Sequence, residues 1–153
     1  MRVIAFLLIM MTFGLADAAP AATGLQGTEA DRKAIQALLD NYTKAVSTKN
    51  QALFETLLLN KHIPFSHVRS AVKRAAEEDG TQNYEQFRKG VFEGPPFTQR
   101  FEDVHITQDG VLADVTLKFF NISADGTSWG WKTMQLLEVD GHWKIASEFF
   151  TTH

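Results

Sequence analysis

Apolar and polar positions follow two different rhythms along this chain. Between Thr28 and Thr48 the apolar residues fall at Ile35, Leu38, Leu39, Tyr42 and Val46. That i, i+3, i+4, i+7 spacing belongs to a helix with one buried stripe. Thr28-x-x-Asp31 has the form of a capping box, so the spacing predicts a helix over about Glu29–Thr48. Asn50 can cap a second, short helix carrying Leu53, Phe54, Leu57 and Leu58. Pro64 within Ile63–Val68 suits an edge strand, where a missing N–H breaks no ladder. Ser70–Asp79 reads as a short exposed helix or a loop, and Gly80 breaks it. Thr81 can cap a further helix containing Tyr84 and Phe87, and Gly94-Pro95-Pro96 closes the helical half.

The second half changes rhythm. Asp109-Gly110, Asp125-Gly126 and Asp140-Gly141 each sit between runs of β-forming residues. Asp-Gly favours the type I′ turn of a two-residue hairpin. With such a loop at each pair, Gln108 faces Val111, Ala124 faces Thr127 and Val139 faces His142. Counting back from the turns gives a four-strand meander with two faces. One carries the rows Val104–Val115–Leu136–Ile145, Glu102–Leu117–Met134–Ser147 and Arg100–Phe119–Lys132–Phe149. It is the core face, which the helices must cover. Near one end it turns polar, with Arg100, Glu102, Lys132 and Ser147 beside Phe119 and Phe149. Two readings compete for that cluster: charges that pair at the sheet's open end, or the floor of a pocket under the helices. The opposite face gathers Phe120, Ile122, Trp129, Trp131 and Phe150 at one end of three strands. An apolar patch of that size predicts a homodimer through the sheet, or a segment of the same chain folded over it.

Composition narrows the field. A chain of 153 residues that is 44% hydrophobic is one domain's worth and excludes wholesale disorder. A net charge of −3 gives no basic excess for phosphates, which argues against nucleic acid. The absence of cysteine excludes disulfides, thiolate metal sites and a cysteine nucleophile. Val3–Leu15 is apolar but for Thr12 and Gly14, follows Arg2, and ends at the small-x-small Ala16-Asp17-Ala18. This is the pattern of a signal peptide spanning residues 1–18, which predicts export to the periplasm or beyond with no membrane anchor left in the mature chain. Residues 19–27 read as a flexible tether and 28–153 as a single domain.

Candidate chemistry is sparse. His62 and His67 are five apart, on opposite faces of a strand, so no shared metal is expected. His105 should face Asp114 on the outer surface as a solvated pair. No glycine-rich phosphate loop appears, and no cofactor is expected.

The order helix, helix, strand, helix and four-strand meander, with Leu39–Phe54 (LDNYTKAVSTKNQALF) and Trp131–Thr151 (WKTMQLLEVDGHWKIASEFFT), resembles the nuclear transport factor 2-like superfamily, in its SnoaL-like and ketosteroid-isomerase-like branch. The resemblance implies an α+β cone: a curved antiparallel sheet, the meander plus an edge strand, wrapped around the N-terminal helices with a cavity at the wide end. It also implies dimers through sheet faces. Tyr42 matches the helix-1 tyrosine that donates to an oxyanion in the isomerases. Their basic carboxylate has no counterpart in Lys61–His67, where His67 or His62 is the available base, and many relatives carry histidine where Phe149 stands.

The expectation is an exported domain that binds a small, partly apolar molecule. Tyr42, Arg100, Glu102, Lys132 and Ser147 would make its polar contacts, and the two cations suit a carboxylate or enolate-like oxygen. One alternative is an isomerase or dehydratase in which Glu102 or His67 moves a proton and Tyr42 with Lys132 steadies the oxyanion. A second is a non-catalytic dimeric interaction module.

Overall fold

The computed structural model describes residues 27–76 and 83–153. The predicted signal peptide, the tether up to residue 26 and the expected cap Thr81 lie outside the described residues. Helix α1 spans Glu29–Ser47, and Thr28 with Asp31 forms the reciprocal capping box. Its buried stripe is Ile35, Leu38, Leu39, Tyr42, Ala45 and Val46. Helix α2 (Gln51–Thr56) takes Asn50 as its cap and buries Phe54. Strand β1 (Phe65–His67) follows Pro64, and α3 (Val68–Lys73) leaves it at once, capped by His67. Helix α4 (Tyr84–Arg88) is capped by Asn83 and runs into a π-helical turn at Lys89–Glu93. The long strands are β2 (Thr98–Asp109), β3 (Leu112–Ser123), β4 (Gly126–Val139) and β5 (His142–Phe150).

The sheet order is β1-β5-β4-β3-β2, with β1 parallel to β5 and every other pair antiparallel. The sheet curves without closing into a barrel, and the helices cover one face. No helix among the described residues is long and apolar enough to cross a membrane.

The turns depart from the expected register in an instructive way. Asp140-Gly141 is the predicted loop: both residues have positive φ, and Val139 pairs with His142. At the first hairpin the loop moves one residue on, to Gly110-Val111, and Asp109 pairs with Leu112. At the second it moves one residue back, to Ala124-Asp125, and Ser123 pairs with Gly126. Sliding a two-residue loop by one position changes each partner by two and leaves the faces alone. The expected His105–Asp114 pair is lost for this reason: His105 lies opposite Thr116, and Asp114 opposite Thr107.

Two bulges do change faces. In β2, Glu102 pairs with Lys118 but His105 with Thr116, so Asp103 and Val104 together oppose Leu117. Asp103 sits there at φ 50°, a left-handed conformation that aspartate tolerates better than most residues. In β5, Ile145 pairs with Leu136 but Ser147 with Gln135, which leaves Ala146 as the extra residue. Beyond each bulge the alternation inverts. Gln99 and Phe101 turn inward instead of Arg100 and Glu102, and Glu148 and Phe150 instead of Ser147 and Phe149.

Candidate functional site

Between α4, the π-helical turn and the inner face of the sheet lies a cavity of about 250 Å3. Its apolar walls are Phe65 from β1, Phe87 from α4, Val91 from the π-helical turn, Phe97, Phe119 from β3 and Phe150 from β5. Gln99, Asn121 and Lys132 are its inner polar residues. A larger cleft of about 480 Å3 shares Gly90, Phe97 and Asn121 with it and reaches Ser123, Asp125 and Thr127 on the second hairpin.

The roof is tied down by one side chain. Lys49, itself at φ 57°, donates from Nζ to the carbonyls of Val91, Gly94 (3.2 Å) and Pro95 (2.9 Å). An ammonium with three N–H groups satisfies all three carbonyls at once, in and just beyond the π-helical turn. The wall behind is also shaped by a glycine. A Cβ at Gly130 would stand 2.8 Å from the Phe119 ring and 2.0 Å from the Thr151 carbonyl oxygen. The missing side chain is what lets Phe119 lie across from β4 at its pairing partner Gly130.

Lys132 enters from β4 and is almost wholly buried. Its Nζ lies 2.7 Å from Glu148 Oε1 and donates to the Tyr42 hydroxyl at 2.5 Å. Tyr42 in turn donates to Glu148 Oε1 at 3.1 Å. The three groups come from β4, β5 and α1 and close a triangle. The rings of Tyr42, Phe101, Phe119 and Phe150 stand 4.3–5.7 Å from the ammonium nitrogen. Parallel pairing with β1 aims Glu148 inward: its N–H donates to the Pro64 carbonyl at 2.9 Å, opposite Phe65. Burial pushes the Glu148 carboxyl up, against the pull of Lys132 and Tyr42. Burial likewise pushes the Lys132 amine down, against Glu148. It raises the Tyr42 phenol well above its ordinary value, helped by the neighbouring carboxylate.

Three hydrogen-bonding positions in this region are unfilled among the described residues. Lys132 has three N–H groups and two protein partners. Glu148 Oε2 is buried without a partner. So is Gln99 Oε1, although Gln99 Nε2 donates to Asn121 Oδ1 at 2.7 Å. Buried polar atoms are nearly always paired, so a cluster of exceptions beside a cavity is informative.

The structure places the sequence-predicted site residues as follows. It brings Lys132 and Phe119 together at the cavity floor, with Tyr42 buried behind them against the Lys132 ammonium. Arg100 and Glu102 lie on the outer face, ion-paired to each other and about half exposed, with Arg100 over the Phe120 ring at 4.1 Å. Ser147 is also outside, donating to Gln135 Oε1, and Phe149 pairs with Thr133 there. The β2 and β5 bulges account for all four corrections. Phe150, expected outside, lines the cavity. His67 caps α3, its Nδ1 accepting from the Arg69 N–H at 3.0 Å. Burial and Arg69 push its pKa down, and its ring meets Phe150 edge-on at 5.5 Å. It does not line the cavity. His62 is exposed. Among the described residues no group of three or more His, Asp or Glu side chains could hold a metal ion.

Glu148, Gln99 and Asn121 are the polar residues of this region that the sequence reading missed. A signal for Glu148 was present. An inward Lys132 requires a carboxylate in reach, and one stands a single residue beyond the Ser147 that strict alternation selects.

No family model matches this sequence. No curated protein matches it in sequence. Solved structures do match in fold. One is a nuclear transport factor 2-like protein of unknown function from Shewanella baltica, 15% identical, TM-score 0.60, with 84% of this chain and 98% of that one covered. Another is a candidate scytalone dehydratase from Novosphingobium aromaticivorans, 14% identical, TM-score 0.61, with 81% and 85% covered. A third is the S. rosetta CaMKII hub, 16% identical, TM-score 0.59, with 88% and 100% covered. At these identities the likeness is one of fold: the chain adopts the nuclear transport factor 2-like fold.

Proposed function

We propose that this chain binds a small molecule in the cavity above Lys132: a mostly apolar body with one oxygen acceptor and one hydrogen-bond donor. The observation that carries this reading is Lys132 at the floor of a mostly apolar cavity, with three N–H groups and two protein partners among the described residues. The ammonium is already neutralised by Glu148, so the ligand oxygen is better matched by a carbonyl or hydroxyl than by a carboxylate. Gln99 Oε1 would accept from the ligand's donor group. Apolar walls with a few placed polar groups are the usual form of such sites. The address read from residues 1–18 would put this binding in the periplasm or outside the cell.

Calorimetric titration with 4-hydroxybenzyl alcohol tests the reading, because its ring separates a donor hydroxyl from an acceptor oxygen. Binding is expected, and Val91→Trp, which fills the cavity from its roof, should weaken it at least tenfold. Binding of equal strength to that variant would place the site elsewhere.

We also propose a homodimer through the outer sheet face. Trp129, Trp131 and Ile122 remain 43%, 51% and 42% exposed, and Phe120 and Phe149 adjoin them. Phe149 takes the place in this patch that strict alternation gave to Phe150. Contiguous exposed apolar surface of this kind favours a partner, and tryptophan is a frequent interface anchor. Sedimentation at micromolar concentration should show a dimer. Trp131→Glu should weaken it at least about thirtyfold, the equivalent of ~2 kcal/mol. A parent protein that stays monomeric at every concentration overturns the dimer and leaves a segment of the same chain as the cover.

A further inference from the structure

We propose that Lys132 is a nucleophilic amine that forms an imine with a small aldehyde or ketone held in the cavity. The inference rests on the binding reading above and adds a reaction to it.

Three features of the geometry carry it. First, Lys132 is the cavity's amine: it lines the space and is nearly wholly buried. A lysine in apolar surroundings is the usual source of an uncharged amine at neutral pH. Second, a carboxyl group stands 2.7 Å away and can hold the proton that the amine gives up. Moving that proton replaces two buried charges with two neutral groups, and burial pulls the pair in that direction from both sides. Third, among the described residues Glu148 Oε2 is buried with no partner, and the Tyr42 hydroxyl bridges amine and carboxyl. A structural ion pair has no need of an unpaired oxygen, whereas imine chemistry has a use for one.

The step balances without any other reagent. The neutral Lys132 nitrogen attacks the carbonyl carbon, and the carbonyl π electrons move to oxygen. Glu148 delivers its proton to that oxygen, directly or through Tyr42. The nitrogen of the carbinolamine then expels the hydroxyl group as water, which takes a second proton that nitrogen has passed to Glu148. One C–N double bond replaces one C–O double bond, one water leaves, and the last nitrogen proton restores the Glu148 acid. The aromatic walls would hold the carbonyl compound beside Nζ and keep bulk water from reversing the step. Lys132 is the catalytic residue in this scheme, with Glu148 as its acid–base partner and Tyr42 as a positioning residue.

The test is reductive trapping. The full chain is incubated at pH 7 with 4-hydroxybenzaldehyde and sodium cyanoborohydride, and each lysine is followed by peptide mass spectrometry. Lys132 should be alkylated at least tenfold faster than the exposed Lys33, with a rate that saturates in aldehyde. Excess 4-hydroxybenzyl alcohol should slow the reaction at Lys132 and leave Lys33 unchanged. Glu148→Gln should slow trapping at Lys132 alone and move its pH profile. Lys132→Met/Glu148→Leu, which removes both charges together, should show no fast site. If Lys132 reacts no faster than Lys33 while 4-hydroxybenzyl alcohol still binds, the imine is overturned and the binding site stands. If the alcohol does not bind either, both readings fall.

Discussion

Lys132→Met is expected to destabilise the protein by about 3–5 kcal/mol at neutral pH, because it leaves a carboxyl buried without its cation. The pH dependence identifies the cause. In the parent, the folded pair shares one proton between Lys132 and Glu148. The unfolded chain also holds one, on lysine, between the ordinary values of 4.5 and 10.5. Burial raises the folded Glu148 pKa above 4.5 and lowers that of Lys132 below 10.5, so the pair adds no slope only in the middle of that window, between the two folded values. In Lys132→Met the folded protein keeps a proton on Glu148, whose pKa burial already raises, while the unfolded chain loses it near 4.5. Folding then takes up a proton. The stability contributed is fully present below pH 4.5 and falls by ~1.4 kcal/mol per pH unit as pH rises towards the folded pKa. Urea denaturation from pH 5 to 8 reads this directly. The double variant Lys132→Met/Glu148→Leu should recover to within ~1 kcal/mol of the parent or exceed it, since an apolar pair has no desolvation cost. A single variant as stable as the parent at pH 8 would mean that the pair is not buried as the structure shows.

Phe54→Ala should cost about 3–5 kcal/mol, a large part of the ~5–15 kcal/mol that holds a domain of this size. Phe54 is fully buried and sits at the centre of the aromatic core. Its ring lies 4.8 Å from Tyr42, 5.4 Å from Phe92, 5.5 Å from Phe87, 5.8 Å from Tyr84 and 6.1 Å from Phe65. Removing it opens a void that five rings on four different segments border, and rigid neighbours collapse poorly into such a space. Phe65 and Phe87 are cavity walls, so the same variant should also weaken binding of 4-hydroxybenzyl alcohol. Thermal unfolding and calorimetry measure the two effects. Phe54→Leu, which keeps most of the volume, should lose much less of either. Equal losses in the two variants would argue against a packing origin.

The local features were legible in the sequence wherever the signal is itself local. The α1 stripe, the Thr28 and Asn50 caps and the Pro64 edge strand all depend on neighbours within a few residues. The same is true of three hairpins announced by Asp-Gly pairs, even where the loop slid by one position, because the slide preserves the faces. Phe119 and Lys132 could be placed on the inner side for that reason, since no bulge separates them from their partners across β3 and β4, and Tyr42 could be placed by the helical spacing of α1. Arg100, Glu102, Ser147 and Phe149 could not, because each lies beyond a bulge. One extra residue inverts every later side chain, and no residue type marks its position. Asp103 can adopt positive φ, but so can many aspartates that do not.

The amino-acid sequence by itself determined the α+β class, the order of elements and the inward lysine, because periodicity and turn chemistry are short-range properties. Only the tertiary structure decided what that lysine meets. Glu148 reaches it through a bulge in β5 and a parallel pairing with β1, and Tyr42 reaches it from a helix 90 residues earlier in the chain. The cavity lining likewise comes from β1, α4, the π-helical turn and all four long strands. A site assembled from segments so far apart depends on register and packing summed over the whole fold, and no window of sequence contains that sum.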